Sequence, residues 1–271
     1  MERYDSSTAT HGLFTRLREL WRYRQLLRSL TVRNLKVKYQ RSVLGFLWTL
    51  LNPLLTVAVL AAVFSYVVKI RVPHYLAFLL SGYFVWNFIL QTLSSGTYVL
   101  AEHAQLSRSV AFPKEVPLLA ATASRLVEFG VEMGLVVVAL ALFHHHGVPL
   151  SFALLPWLVL LQLLLSLGLL FPLATLSVFY HDIQHALPIA LTMLFYLSPV
   201  FYPANLVPDT IRSAYMVNPI AQVLTVYRVV IYEGRAPSMT LLASLTLVAL
   251  LFAWGGYALF NRCKSVVAEI V

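Results

Sequence analysis

Few residues in this sequence have the type and spacing to do chemistry. His144, His145 and His146 form the most metal-like cluster. Three consecutive side chains point in different directions, however, and no nearby carboxylate or thiolate completes a ligand set, so they read as a solvated loop. Arg125, Glu128 and Glu132 share a helix face at i, i+3 and i+7. Charges at membrane depth need partners, and Arg125 with Glu128 can supply one pair. A proton relay through these carboxylates would require a Lys, His or Asp from a second helix, and the sequence offers no obvious one. His181, Asp182 and His185 form the remaining polar group, in which Asp182 is expected to N-cap a helix. No phosphate-cradling G-x-x-x-x-G-K-[ST] loop occurs, nor G-x-S-x-G, H-E-x-x-H or G-x-G-x-x-G. The single Cys263 excludes an internal disulfide and a cysteine metal cluster.

Aromatic residues are more numerous. Trp48, Phe64 and Tyr66, then Tyr83, Phe84, Trp86 and Phe88, then Phe195, Tyr196, Phe201 and Tyr202 fall on three separate apolar segments. Such rings commonly mark membrane boundaries. They also offer non-directional stacking faces to pyranose rings.

The elements that carry these residues belong in a bilayer. Of 271 residues, 59% are hydrophobic and 11% charged, too few polar groups to coat a soluble globule, which averages roughly 25% charged. Runs of about 20 apolar residues span a hydrocarbon core, and six such segments are expected at 46–68, 75–93, 117–143, 152–179, 186–201 and 239–260, forming a transmembrane domain over 46–271. The fifth is short and carries Pro188 and Pro199, so its freed backbone groups need protein or a watery cavity beside them. The fold class is therefore all-α and integral to the membrane.

The formal charge of +9 is concentrated in residues 1–45, where ten Lys and Arg face three acids. No apolar core follows a short basic start, so this is not a secretory signal, and the N-terminus is expected in the cytoplasm. Six crossings return the C-terminus to that side, with fifteen Lys and Arg inside and five outside. Leu13, Phe14, Leu17, Leu20 and Trp21 give this segment an amphipathic helix on the membrane surface. The outer loop 203–238 is apolar enough to hold two short helices, Leu206–Val217 and Ile220–Ile231, parted by Asn218-Pro219 and stopped by Gly234. Val223, Leu224, Tyr227, Val230 and Ile231 should return the second one to the membrane or cover a pore mouth.

Three stretches resemble one family, the membrane subunits of ABC-2 type polysaccharide exporters. They are VKYQRSVLGFLWTLLNPLL from Val37 to Leu55, with Tyr39, Ser42, Leu44, Gly45, Trp48, Asn52 and Pro53; EHAQLSRSVAFPKE from Glu102 to Glu115, ending in Phe112-Pro113-Lys114-Glu115; and FYHDIQHALPIALTMLFYLSPVFYP from Phe179 to Pro203. His181 stands where the family commonly has arginine, and Gln105 and Ser107 also depart from its pattern. The resemblance implies a non-enzymatic permease in the bacterial inner membrane that exports a lipid-linked cell-surface polysaccharide, most like O-antigen. It would act as a homodimer with two copies of a separate ATPase that binds ATP and Mg. Wall teichoic acid or capsule export is the nearest alternative, followed by drug or lipid export and a membrane enzyme acting on lipid-linked sugar. The resemblance further implies a cytoplasmic coupling loop at 97–116, with Glu102, His103, Leu106, Arg108, Phe112, Lys114 and Glu115 toward the ATPase. It implies channel-lining roles for Tyr39, Trp48, Tyr83, Trp86, Phe195, Tyr196, Phe201 and Tyr202, and an outer gate at Pro219, Leu224, Tyr227 and Ile231. Membrane lipids are the remaining partner; nucleic acid has no place in explaining the charge.

Overall fold

The computed structural model describes residues 18, 20–40, 42–102, 112–143 and 149–270. Among them every regular element is helical. In chain order they are α1 (Arg24–Tyr39), α2 (Trp48–Ala62), α3 (Tyr75–Glu102), α4 (Glu115–Phe143), α5 (Leu155–Phe179), α6 (Asp182–Tyr196), α7 (Asp209–Met216), α8 (Pro219–Ile231) and α9 (Met239–Ile270). A single 3₁₀ turn, Gly45–Leu47, leads into α2 and a π turn, Val63–Val67, ends it.

Four stretches are long and apolar enough to cross a membrane: Gly45–Val67, Tyr75–Leu100, Leu150–Phe179 and Met239–Lys264. Burial ranks them. The apolar window is 61% buried in α3 but only 17% buried in α2 and in α9, so α3 is the axis of the bundle and the other two present apolar faces outward. The α4 helix is 29 residues long but carries Arg125, Glu128 and Glu132. The 15-residue α6 reaches only ~22 Å at 1.5 Å per residue.

Membrane helices gain little from the hydrophobic effect between them and pack where small residues let backbones approach. That happens between α5 and α9. A Cβ on Gly256 would lie 1.9 Å from the Gly168 carbonyl oxygen, and one on Gly168 would lie 2.4 Å from the Phe252 backbone. Pro172, four residues after Gly168, removes the amide that would otherwise bond that carbonyl. The same logic explains Pro188 in α6. The Gln184 carbonyl it frees accepts a 3.1 Å hydrogen bond from the Tyr98 hydroxyl of α3.

Some expectations change. The α6 helix starts before and stops before the expected 186–201: Leu197 caps it, because Pro199 disfavours helical backbone at Ser198. Asp182 is its first helical residue rather than its N-cap; His181 holds that position, with no side-chain cap bond. The amphipathic stretch from Leu13 lies mostly outside the described residues, as do His144, His145 and His146. The break at Asn218-Pro219 is present: the Asn218 side chain accepts from the Ile220 amide at 3.0 Å, and Pro219 opens α8. Gly234 adopts φ +66°, a conformation that suits glycine, just beyond α8. The α8 helix is not simply amphipathic. From Ile220 to Ile231 every residue except Thr225 is buried, Arg228 included, so it is a core element of the bundle.

Candidate functional site

Two groups of side chains, at opposite ends of the bundle, carry the polar and aromatic residues singled out above. The first is an ionic knot around Glu128. Lys38, in the last turn of α1, places its ammonium 2.8 and 2.9 Å from the two carboxylate oxygens. Tyr39 donates to Oε1 at 2.6 Å, and Arg125 donates to Oε2 at 2.9 Å. Arg125 also donates to Ser95 on α3 at 3.3 Å, and the Tyr39 hydroxyl lies 2.5 Å from Thr49 of α2. One carboxylate thus ties α1, α3 and α2 to α4. A buried charge is tolerated where opposite charges and hydrogen-bond donors surround it, and Glu128 has all of these. Burial, and then the neighbouring Arg125 guanidinium, draw the Lys38 ammonium below its ordinary range.

Lys38 is the partner that the sequence did not reveal. The second-helix cation absent from the apolar segments comes from the basic segment, ninety residues away. One turn further along α4, Glu132 is 3% exposed and accepts a 3.2 Å hydrogen bond from Asn87 of α3. A small cavity of about 190 Å³ opens beside the knot, lined in part by Asn34, Lys38, Ser95, Tyr98 and Arg125.

Beside the knot, α1 is also held by apolar contact. Leu30 packs with Phe112, Val116 and Ala120 into a small buried cluster, with Leu26 and Leu27 against it. Phe112, expected to face an ATPase, is 5% exposed and fills this cluster. Glu115 lies 3.8 Å from Lys264 near the end of α9, and Lys114 also has a partner. His103, Leu106 and Arg108 lie outside the described residues, as does the side chain of Glu102.

At the opposite end the aromatic residues converge. Trp86 meets Phe195 in a tilted contact at 5.7 Å, and Phe195 meets Tyr196 at 5.3 Å and Phe201 at 5.4 Å. Phe201 continues to Phe64 at 4.9 Å and to Tyr202 at 5.0 Å, and Tyr215 donates to the Tyr202 hydroxyl at 3.1 Å. Five of the eight expected wall residues therefore form one contact chain, within which Trp86 is buried at 2% exposure and Tyr196 is open at 61%. Tyr83 is half-buried against the core. Tyr39 and Trp48 sit apart: Tyr39 belongs to the knot, and Trp48 is exposed at the start of α2. Among the expected gate residues, Leu224, Tyr227 and Ile231 are buried in the core and Pro219 begins α8. Arg228 in the same helix is one of the five cations expected outside, but it was not among the expected site residues. It is 5% exposed, donates to the Val200 carbonyl at 2.6 Å and lies over the Phe78 ring at 3.8 Å. Its signal was an arginine inside an otherwise apolar helix.

No group of three or more potential metal ligands occurs among the described residues. Comparison with known proteins places this architecture. Residues 25–232 match the model of the ABC-2 type transporter family. The chain is 31% identical over 257 residues to the O-antigen export system permease protein RfbA of Myxococcus xanthus, covering 94% of this chain and 98% of that one. It is 25% identical to the protein of the same name from Klebsiella pneumoniae, over 91% and 95% of the two chains. It is 24% identical to the polysialic acid transport protein KpsM of Escherichia coli, over 86% and 91%. With spanning helices packed through α3 and α5 and a family match over most of its length, the chain is a multi-pass membrane protein that belongs to the ABC-2 type transporter family.

Proposed function

We propose that this chain is the permease subunit of an ATP-driven exporter of a lipid-linked cell-surface polysaccharide, most like O-antigen. The observation that carries the proposal is the 31% identity, nearly end to end, with a protein named for O-antigen export. The lower identity to a polysialic acid transport protein supports capsule export as the second reading. In this reading α4 and α6 join the four apolar helices as the third and fifth of six crossings, and both termini are cytoplasmic in the bacterial inner membrane. The α7–α8 segment re-enters the outer leaflet. Two copies pair through the apolar faces that α2 and α6 leave exposed, including Leu55, Val59, Ile189, Met193 and Tyr196. The aromatic chain then lies beside the polymer path.

Two copies of a separate ABC ATPase bind below, near α1 and the segment before Phe112, and hold the ATP and Mg. The knot makes α1 and α4 a single lever, so that a push on either is passed to the other. Such coupling needs states that bind the partner differently. The test is co-expression with ABC ATPase subunits from the same organism, followed by reconstitution and a polymer export assay. The expected result is a stable complex whose export stops without ATP. Failure of every ATPase to co-purify, with export continuing, would overturn the proposal.

A further inference from the structure

A cavity of about 660 Å³ opens at the end of the bundle away from α1, between the α2–α3 connection, the loop after α6 and the last turn of α8. Three cations line it, Lys69, Arg71 and Arg228, together with apolar side chains such as Ile70, Phe78 and Leu206. Glu233 also lines it, but its carboxylate is paired with Arg235 at 2.5 Å. The loop that carries the lysine is tightly held. Lys69 is fixed at φ +60°, a left-handed conformation uncommon for a side-chain-bearing residue. The Ile70 amide bonds the Phe64 carbonyl, and the Tyr232 hydroxyl donates to the Pro73 carbonyl at 2.6 Å.

Arg228 is the decisive group. More than nine-tenths buried, it is held by the carbonyls of Val200 and Tyr202 and by the Phe78 ring face. Gly82 makes room for it, since a Cβ there would lie 2.9 Å from Nη2. No carboxylate among the described residues forms a salt bridge with it, and its Nε has no partner. Dipoles and a ring satisfy part of a guanidinium, but a buried charge ordinarily retains an opposite charge nearby. Guanidinium and ammonium groups together favour phosphate oxygens. An apolar wall beside them suits an attached hydrocarbon chain.

We propose that this cavity binds the phosphate headgroup of a lipid, with Arg228 as the buried anchor and Lys69 and Arg71 as exposed clamps. The proposal goes beyond the exporter reading and does not depend on it. The phosphate could belong to a resident phospholipid or to a polyprenyl carrier, and the probes separate the two. The full chain in neutral detergent is titrated with dioleoylphosphatidylglycerol, farnesyl diphosphate, uncharged dioleoylglycerol and inorganic diphosphate, and binding is followed by thermophoresis. At least one phosphate lipid should bind, with uncharged dioleoylglycerol and inorganic diphosphate each weaker; the tighter of the two phosphate lipids identifies the source. The exposed double variant Lys69→Gln/Arg71→Gln should weaken binding of that lipid by at least about tenfold. Arg228→Gln should do the same, and the double variant keeps the test valid if that protein does not fold. Unchanged binding by the double variant, or equal binding of dioleoylglycerol or of inorganic diphosphate, would overturn the proposal. ATPase co-purification, measured on the same variants, reports separately on the exporter reading.

Discussion

Replacing Glu128 with Gln keeps the shape of the knot but removes its only negative charge. Lys38 and Arg125 then stand close together with no anion between them, and Tyr39 loses a charged acceptor. Breaking a buried pair typically costs about 3–5 kcal/mol. The Lys38 side chain is 38% exposed and can turn toward water, which reduces the expected cost to about 2–3 kcal/mol. The loss should fall on the docking of α1, because Leu30 and Phe112 still hold its middle while its last turn is released. Arg33 and Lys36 lie on exposed positions of α1, where trypsin cuts only when the helix opens. At 1.4 kcal/mol per factor of ten, cleavage should accelerate roughly 30- to 150-fold when opening is fast relative to cutting. The assay is limited proteolysis of the purified chain in detergent, with cleavage sites read by mass spectrometry. A Glu128→Gln rate within twofold of the parent would refute the idea that the knot holds α1.

Other perturbations give equally direct tests. Gly256→Ala should sharply lower folded yield and thermal stability in detergent, because its Cβ meets the Gly168 carbonyl, whereas Gly255→Ala has open space and should behave like the parent. Phe112→Ala should cost about 3–5 kcal/mol of stability in the chain without its ATPase, measured by thermal unfolding, because the ring fills the cluster with Leu30 and Val116. Tyr196→Ala, at an exposed position, should leave unfolding unchanged while reducing polymer export more than ATP hydrolysis; equal loss of both would make the residue structural. Trp86→Ala should instead destabilise the chain by about 3–5 kcal/mol, since the ring is buried against Phe195.

What the sequence disclosed follows from the range of the forces involved. The long apolar helices were legible because bilayer thickness imposes a length and a composition on each of them separately. The Arg125–Glu128 pair was legible because both partners lie on one helix three residues apart. Lys38 was not, since nothing local to α1 or α4 requires the two to meet; tertiary packing alone brings them together. The α1 helix was hidden for the same reason. Its residues are largely polar, and its order comes from Leu30 packing on Phe112 and from a carboxylate elsewhere in the chain. In α8 the apolar residues were read as one face, but α3, α5 and α9 surround the helix and bury its arginine as well. The aromatic residues at the far end were identified by type, yet only the turn after α6 could bring Phe201 and Tyr202 into line with Phe195.

That turn has a mechanical consequence. Three successive carbonyls are claimed by neighbours: Val200 by Arg228, Phe201 by Tyr75 and Tyr202 by Arg228. Asn218 adds a 2.9 Å hydrogen bond to Ser198 while capping α8. With its backbone clamped at this many points, the segment cannot swing as a hinged flap. Any widening of this end of the molecule must carry the foot of α6, the head of α3 and the whole of α8 together, which makes the moving part a wedge of three helices.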